Sequence, residues 1–142
     1  MNNEDDNAEL LLKSLCHINV IDDNFKNDYN NFISNYNSLD IILFHLIQIG
    51  EIVSKFSENF ITNYKNIDFI NIKGLRNFVI HDYTGVIYDE IFDIVLKDIP
   101  ILRNSYQDIL TKDYGINNNY IEEYINYYMK NRKFKNIKTS MD

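Results

Sequence analysis

The chain carries a single cysteine, no CxxC pair, no glycine-rich phosphate loop and no histidine–carboxylate spacing of the kind that holds a metal ion. Each absence narrows the chemistry. Cys16 has no partner for an intramolecular disulfide, and there is neither a signal-like start nor an apolar run long enough to span a bilayer, so a cytoplasmic protein without membrane contact is expected. No cofactor or metal is expected either. Strand-type alternation is almost missing, which leaves an all-α fold. Positive charge is also short: 14 Lys and Arg stand against 21 Asp and Glu, for a net charge of −7. That is the wrong sign for holding nucleic acid by bulk electrostatics, so any such contact has to be local. At 142 residues the chain suits one domain with a real core.

Helical periodicity organises what is present. Leu10, Leu11, Leu12, Leu15 and Ile18 predict a first amphipathic helix from Ala8 to about Val20. His17 lies beside it and reads as surface or packing, because no second ligand stands at i+4. The Asn- and Asp-rich run 22–37 reads as a loose connection with room for a short helix. Asn37 or Ser38 then caps a long second helix to about Phe56, with Leu39, Ile42, Leu43, Leu46, Ile49 and Val53 in its stripe. Gly50 costs that helix roughly 1 kcal/mol relative to alanine, which close approach of another helix would explain. His45, among apolar neighbours, reads as packing or interface. Residues 57–68 break the pattern, and Asp68 can cap a helix starting near Phe69 and closed by Thr84-Gly85. A further helix over 87–97 is followed by a fresh one capped by Asp98, with Pro100 in its first turn. After Gly115 and three consecutive asparagines, a sixth segment over 121–134 interleaves Tyr120, Tyr124, Tyr127 and Tyr128 with charges. Those tyrosines either pack on the bundle or stack on bases. Lys130, Arg132, Lys133, Lys135 and Lys138 close the chain as a solvated face or as an RNA-recruiting patch.

The chemistry concentrates in Leu75-Arg76-Asn77-Phe78-Val79-Ile80-His81-Asp82-Tyr83. On a regular helix Arg76 and Tyr83 share one stripe, while Asn77 and His81 form an i, i+4 pair on the next. A guanidinium forks onto phosphate oxygens and an imidazole exchanges a proton near neutral pH, so the set suits work on a phosphodiester. Glu51 reads as an exposed carboxylate or as a hydrogen-bonding neighbour of Arg76 or Asn77. Asp82 reads as a modest local acid. Without other context, Arg76 paired to Glu51 or Asp82 and a helix-end His81 would equally describe an inactive helical module.

Arg76, four residues, His81, one residue and Tyr83 spell R-x4-H-x-Y, and the chain here resembles the HepT-type toxins of the HEPN superfamily. The similarity extends to Ile47-Gln48-Ile49-Gly50-Glu51, Lys73-Gly74-Leu75-Arg76-Asn77 and Ile99-Pro100, and runs from about Leu10 to Leu110. Phe69 stands where that family often has Trp, and Phe78 where it often has a second Arg. The resemblance implies a homodimeric up-and-down helical bundle over 1–115, with an extra C-terminal helix and basic tail over 116–142. It implies an RNA-cleaving toxin, a metal-independent endoribonuclease of a type VII-like toxin–antitoxin pair, with Arg76, Asn77 and His81 at the site and Glu51 and Asp82 around it. tRNA or mRNA would be the substrate. A cognate minimal nucleotidyltransferase would neutralise it by AMPylation of Tyr83. The alternative is a catalytically silent HEPN dimer that docks, or presents nucleotide to, such a transferase.

Overall fold

The computed structural model describes the backbone of residues 3–81 and 88–141 and the side chains of 6–81 and 88–132. Among these residues there is no strand. The α-helices are α1 (Asn3–Asn24), α2 (Tyr29–Ser34), α3 (Tyr36–Val53), α4 (Glu58–Asn63), α5 (Phe69–Lys73), α6 (Leu75–Ile80), α7 (Tyr88–Asp93), α8 (Ile99–Asp108) and α9 (Asn118–Met141). The chain is an all-α bundle.

α1 and α3 run antiparallel and form its centre. Leu11, Leu15 and Ile18 of α1 meet Ile42, Leu46 and Ile49 of α3, all essentially without solvent contact, and Ile99, Leu102, Tyr106 and Leu110 close the core from α8 and its extension. α1 is longer than its apolar run predicts, because the polar start is tied down. Asn7, buried, donates from Nδ2 to Ser57 Oγ at 3.0 Å and accepts from Ser57 N–H at 3.2 Å. Ser57 in turn caps α4, accepting from Phe60 N–H at 3.2 Å. Two short helices fall in these connections: α4 behind this cap, where the sequence shows only a break, and α2 behind Asp28, whose carboxylate accepts from Asn30 and Asn31 N–H, in the run that left room for one. Asn35, not Asn37 or Ser38, caps α3.

Two aromatic clusters fix the periphery. Phe25, Phe32 and Phe92 join α2 to α7, helped by a Tyr29 hydroxyl donating to Asp89. Phe56, Phe60, Phe69 and Tyr106 surround the start of α5, with Phe56 and Phe60 stacked at 4.4 Å.

The largest departure from expectation lies around Pro100. No fresh helix begins there, and Asp98 makes no capping hydrogen bond. The chain runs helically from Tyr88 to Asp113, through π-helical turns at Ile94–Asp98 and Ile109–Asp113. Proline cannot donate to the preceding turn and its ring presses on the carbonyl four residues back. Widening that turn to i→i+5 bonding relieves both, and the helix continues. It ends at Gly115, whose φ of +67° is the left-handed conformation a side chain would resist, with Ile116 N–H closing onto Leu110 O at 2.9 Å.

α9 packs along α1 through Ile121, fully buried, and through half-buried Tyr124 and Tyr128. Tyr120 and Tyr127 face solvent. The tyrosine row is therefore split, one half serving as packing. No helix among the described residues is long and apolar enough to cross a membrane.

Asn7→Ala should lower stability by about 1–3 kcal/mol, because it strands the Ser57 amide and loosens the α4 cap. Urea unfolding with an unshifted midpoint would show that the link carries no weight.

Candidate active site

The motif helix is built from two short pieces. Asp68 caps α5 as its position predicts, accepting from Asn71 N–H at 3.2 Å. At Gly74 the backbone stays helical (φ −72°, ψ −10°) but the helix is interrupted, so α5 and α6 meet at a joint instead of forming one rod. The reason lies across the interface. A Cβ on Gly50 would stand 2.8 Å from Ile72 O, 3.4 Å from Lys73 O and 3.5 Å from Arg76 N. α3 is pressed onto the joint with no room for even a methyl group.

That approach brings Glu51, the next residue, against Arg76: Glu51 Oε1 lies 3.0 Å from Arg76 Nε. Both side chains are about half exposed, at 42% and 54%, so the pair is worth only about 0.2–1 kcal/mol in stability. Its consequence is positional. A carboxylate on Nε orients the guanidinium without using its terminal nitrogens. Asn77 and His81 are exposed one turn apart on α6, linked by a 3.0 Å backbone hydrogen bond from His81 N–H to Asn77 O. His81 is the residue at which α6 ends. Leu75, buried, and Phe78 point the other way, so α6 divides into an apolar face and the face carrying Arg76, Asn77 and His81. Asp82 and Tyr83, together with the Thr84-Gly85 stop, lie outside the described residues.

One cluster escaped the sequence. His17 on α1 and His45 on α3 meet with their Nδ1 atoms 2.8 Å apart. Tyr128 of α9 sits edge-on to His17 at 6.0 Å, and Arg132 stands near both rings. One imidazole donates and the other accepts, so the accepting ring is neutral. Burial pushes each down to about 4, with the neighbouring His45 adding to the effect on His17 and Arg132 to both. Each histidine looked like a lone packing residue because the signal is a pairing of two helices, which spacing along one helix does not carry. Among the described residues no group of three or more His, Cys, Asp or Glu could hold a metal ion.

The helical bundle thus exposes Arg76 and His81 at the two ends of one short helix, with Glu51 of α3 against Arg76. The model of the family described as "Ribonuclease HepT-like" matches residues 14–109, and the chain belongs to this family. It is similar to a candidate RNase of Caldanaerobacter subterraneus subsp. tengcongensis, 35% identical over 46% of this chain and 58% of the relative. It is also similar to a candidate RNase of Methanocaldococcus jannaschii, 30% identical over 58% of this chain and 72% of that relative. The chain thus spans a little over half of the first relative's length and under three quarters of the second's. No solved structure gives a significant match.

Two outcomes follow from this geometry. Gly50→Ala gains about 1 kcal/mol of helix propensity but forces a methyl into a backbone carbonyl, an overpacking cost of about 1–3 kcal/mol. The net effect should be a lower melting temperature; a variant as stable as the parent would show that α3 can retreat freely. For the histidines, both folded values lie below the ordinary imidazole value, so the unfolded chain binds protons first as pH falls. Stability is therefore full near pH 7 and declines between about 6.5 and 4. Replacing both rings (His17→Phe with His45→Leu) should flatten this acid limb in melting curves. An unchanged slope from pH 7 to 5 would assign it elsewhere.

Proposed function

We propose that the chain is an RNA-cleaving toxin of a type VII-like toxin–antitoxin pair, a cytoplasmic endoribonuclease that acts as a homodimer. The observation carrying this reading is the Arg76 guanidinium held through Nε by Glu51, on the same exposed face of α6 as Asn77 and His81. Arg76, Asn77 and His81 are each exposed, as contact with a polymer substrate or a second copy requires. Because local charge is what engages the phosphate, the overall charge of −7 is no obstacle.

In this mechanism the nucleophile is the RNA's own 2′-hydroxyl, so the reaction is metal-independent. One imidazole takes the 2′-hydroxyl proton, the 2′-oxygen bonds to phosphorus and the P–O5′ bond breaks. The departing 5′-oxygen receives a proton, leaving a 2′,3′-cyclic phosphate and a 5′-hydroxyl end. Arg76 stabilises the charge that grows on the phosphoryl oxygens, and Asn77 positions His81 or the phosphate. One histidine cannot serve as base and acid in the same turnover, so the second comes from the partner copy in a two-fold dimer. Glu51 keeps Arg76 aimed, and Asp82 adds local polarity. Tyr83 is the acceptor of AMP from a cognate minimal nucleotidyltransferase, since charge and bulk added two residues from His81 would exclude RNA.

Arg76→Ala and His81→Ala should each reduce cleavage of a tRNA or mRNA substrate about 100-fold or more, with helicity and association state unchanged. Cleavage retained by both variants would overturn the assignment. Tyr83→Phe should take up no AMP when incubated with ATP, magnesium and the cognate transferase, read by intact mass; AMP steps persisting at the parent level would exclude Tyr83 as acceptor.

A further inference from the structure

Behind the proposed active face, on the other side of α6, a groove of about 740 Å³ lies between α5–α6 and the α7–α8 helix. Its floor is apolar, from Ile67, Ile72, Leu75, Phe78, Ile94 and Leu102. Ile101 lines it while 65% exposed, and Ile70, on neighbouring α5, is 86% exposed. Its charged lining residues are Asp68, Glu90, Asp93 and Asp98, with Lys97 just outside the lining and 4.0 Å from Asp93. An apolar floor with a rim of one sign calls for an occupant with an apolar row flanked by the opposite charge.

The chain contains one such segment. Five of its 14 basic residues fall within 130–138, with no acid until Asp142. Beyond Arg132 the sequence places Phe134, Ile137 and Met141 at i, i+3 and i+7, with Lys133, Lys135 and Lys138 among them. Helix α9 carries this segment as far as Met141. In its own chain α9 packs on α1, whereas the groove is lined from residues 66–78 and 90–105, so a second copy is the source of the segment. Docking of one groove against another is opposed by the four carboxylates on each rim.

We propose that the groove seats residues 133–141 of a second copy of this chain, the two copies exchanging their basic ends. Reciprocal exchange closes a two-fold dimer with two identical contacts and leaves no open site for further growth. The apolar row fills the floor, and the lysines meet Asp98 and displace Lys97 from Asp93. This inference does not depend on RNA cleavage, and its test does not use RNA turnover.

The test mixes two purified full-length variants, Ile101→Cys and Ile137→Cys, one carrying a size tag, under mild oxidation. Cys16 stays silent, since burial pushes its thiol up to about 12. The expected product is the mixed disulfide dimer on a non-reducing gel, at least several-fold above a pairing of Ile137→Cys with Glu58→Cys outside the groove. Charge reversal of the tail (Lys133→Glu, Lys135→Glu, Lys138→Glu) should abolish it, and Asp93→Lys with Asp98→Lys on the other chain should restore it. No excess over the control overturns the proposal, as does a disulfide formed within one chain when both cysteines are on it. Cross-linking that survives charge reversal overturns it too. So does a tail whose charge reversal lowers RNA retention on a filter while sedimentation shows the same association state, because the basic run is then an RNA contact.

Discussion

The approach of α3 to the α5–α6 joint is the constraint on which the rest of the proposed active face depends. A helix centre can come within contact distance of another backbone only where a side chain is missing, and Gly50 supplies that gap against Ile72 and Lys73 carbonyls. Everything that follows is geometric consequence. Glu51 is carried to the joint by the same turn of α3, Arg76 lies on the first turn of α6, and their ion pair spans the seam. The cost of a glycine inside a long helix is thus offset by an arrangement no larger residue permits.

This division of labour also bears on how an acidic protein can place a guanidinium and an imidazole on one exposed face. The net charge of −7 is a property of the whole molecule, and beyond a Debye length of about 8–10 Å it is largely screened. The exposed face of α6 carries one oriented guanidinium, paired through Nε to Glu51, and one imidazole. On the opposite face of the same short helix the balance is reversed, with carboxylates around an apolar groove. α6 is therefore a thin partition between two electrostatic environments, and its two faces can be read by different partners.

Much of this was legible in the residues. The all-α class, the stripe of α3, the Asp68 cap, the need for close approach at Gly50 and the grouping of Arg76, Asn77 and His81 are local patterns, and local patterns are what a sequence displays. Three features were not. The helix through Pro100 continues because a π-helical turn absorbs the missing donor, and periodicity arguments assume α geometry. The short helix α4 exists because Ser57 caps it and tertiary contacts hold it. The His17–His45 pair joins residues 28 apart, each unremarkable on its own helix. Family membership is legible in motif order, and the match over residues 14–109 shows it.

The π-helical turns have a bearing on how such a chain tolerates changes in its length. A π turn is, in bonding terms, an α-helix with one residue more than its ladder requires. The rod from Tyr88 to Asp113 contains two such surplus positions, one before Pro100 and one before Gly115. Loss of a residue from the interior of an ordinary helix rotates everything beyond it by about 100° and turns the buried face outward. In this rod, Pro100 holds the first turn wide, but a loss within the second would return that ladder to α bonding and leave Leu102 and Tyr106, which precede it, facing the core. Length differences inside a core helix, which normally signal a different fold, are here compatible with the same one.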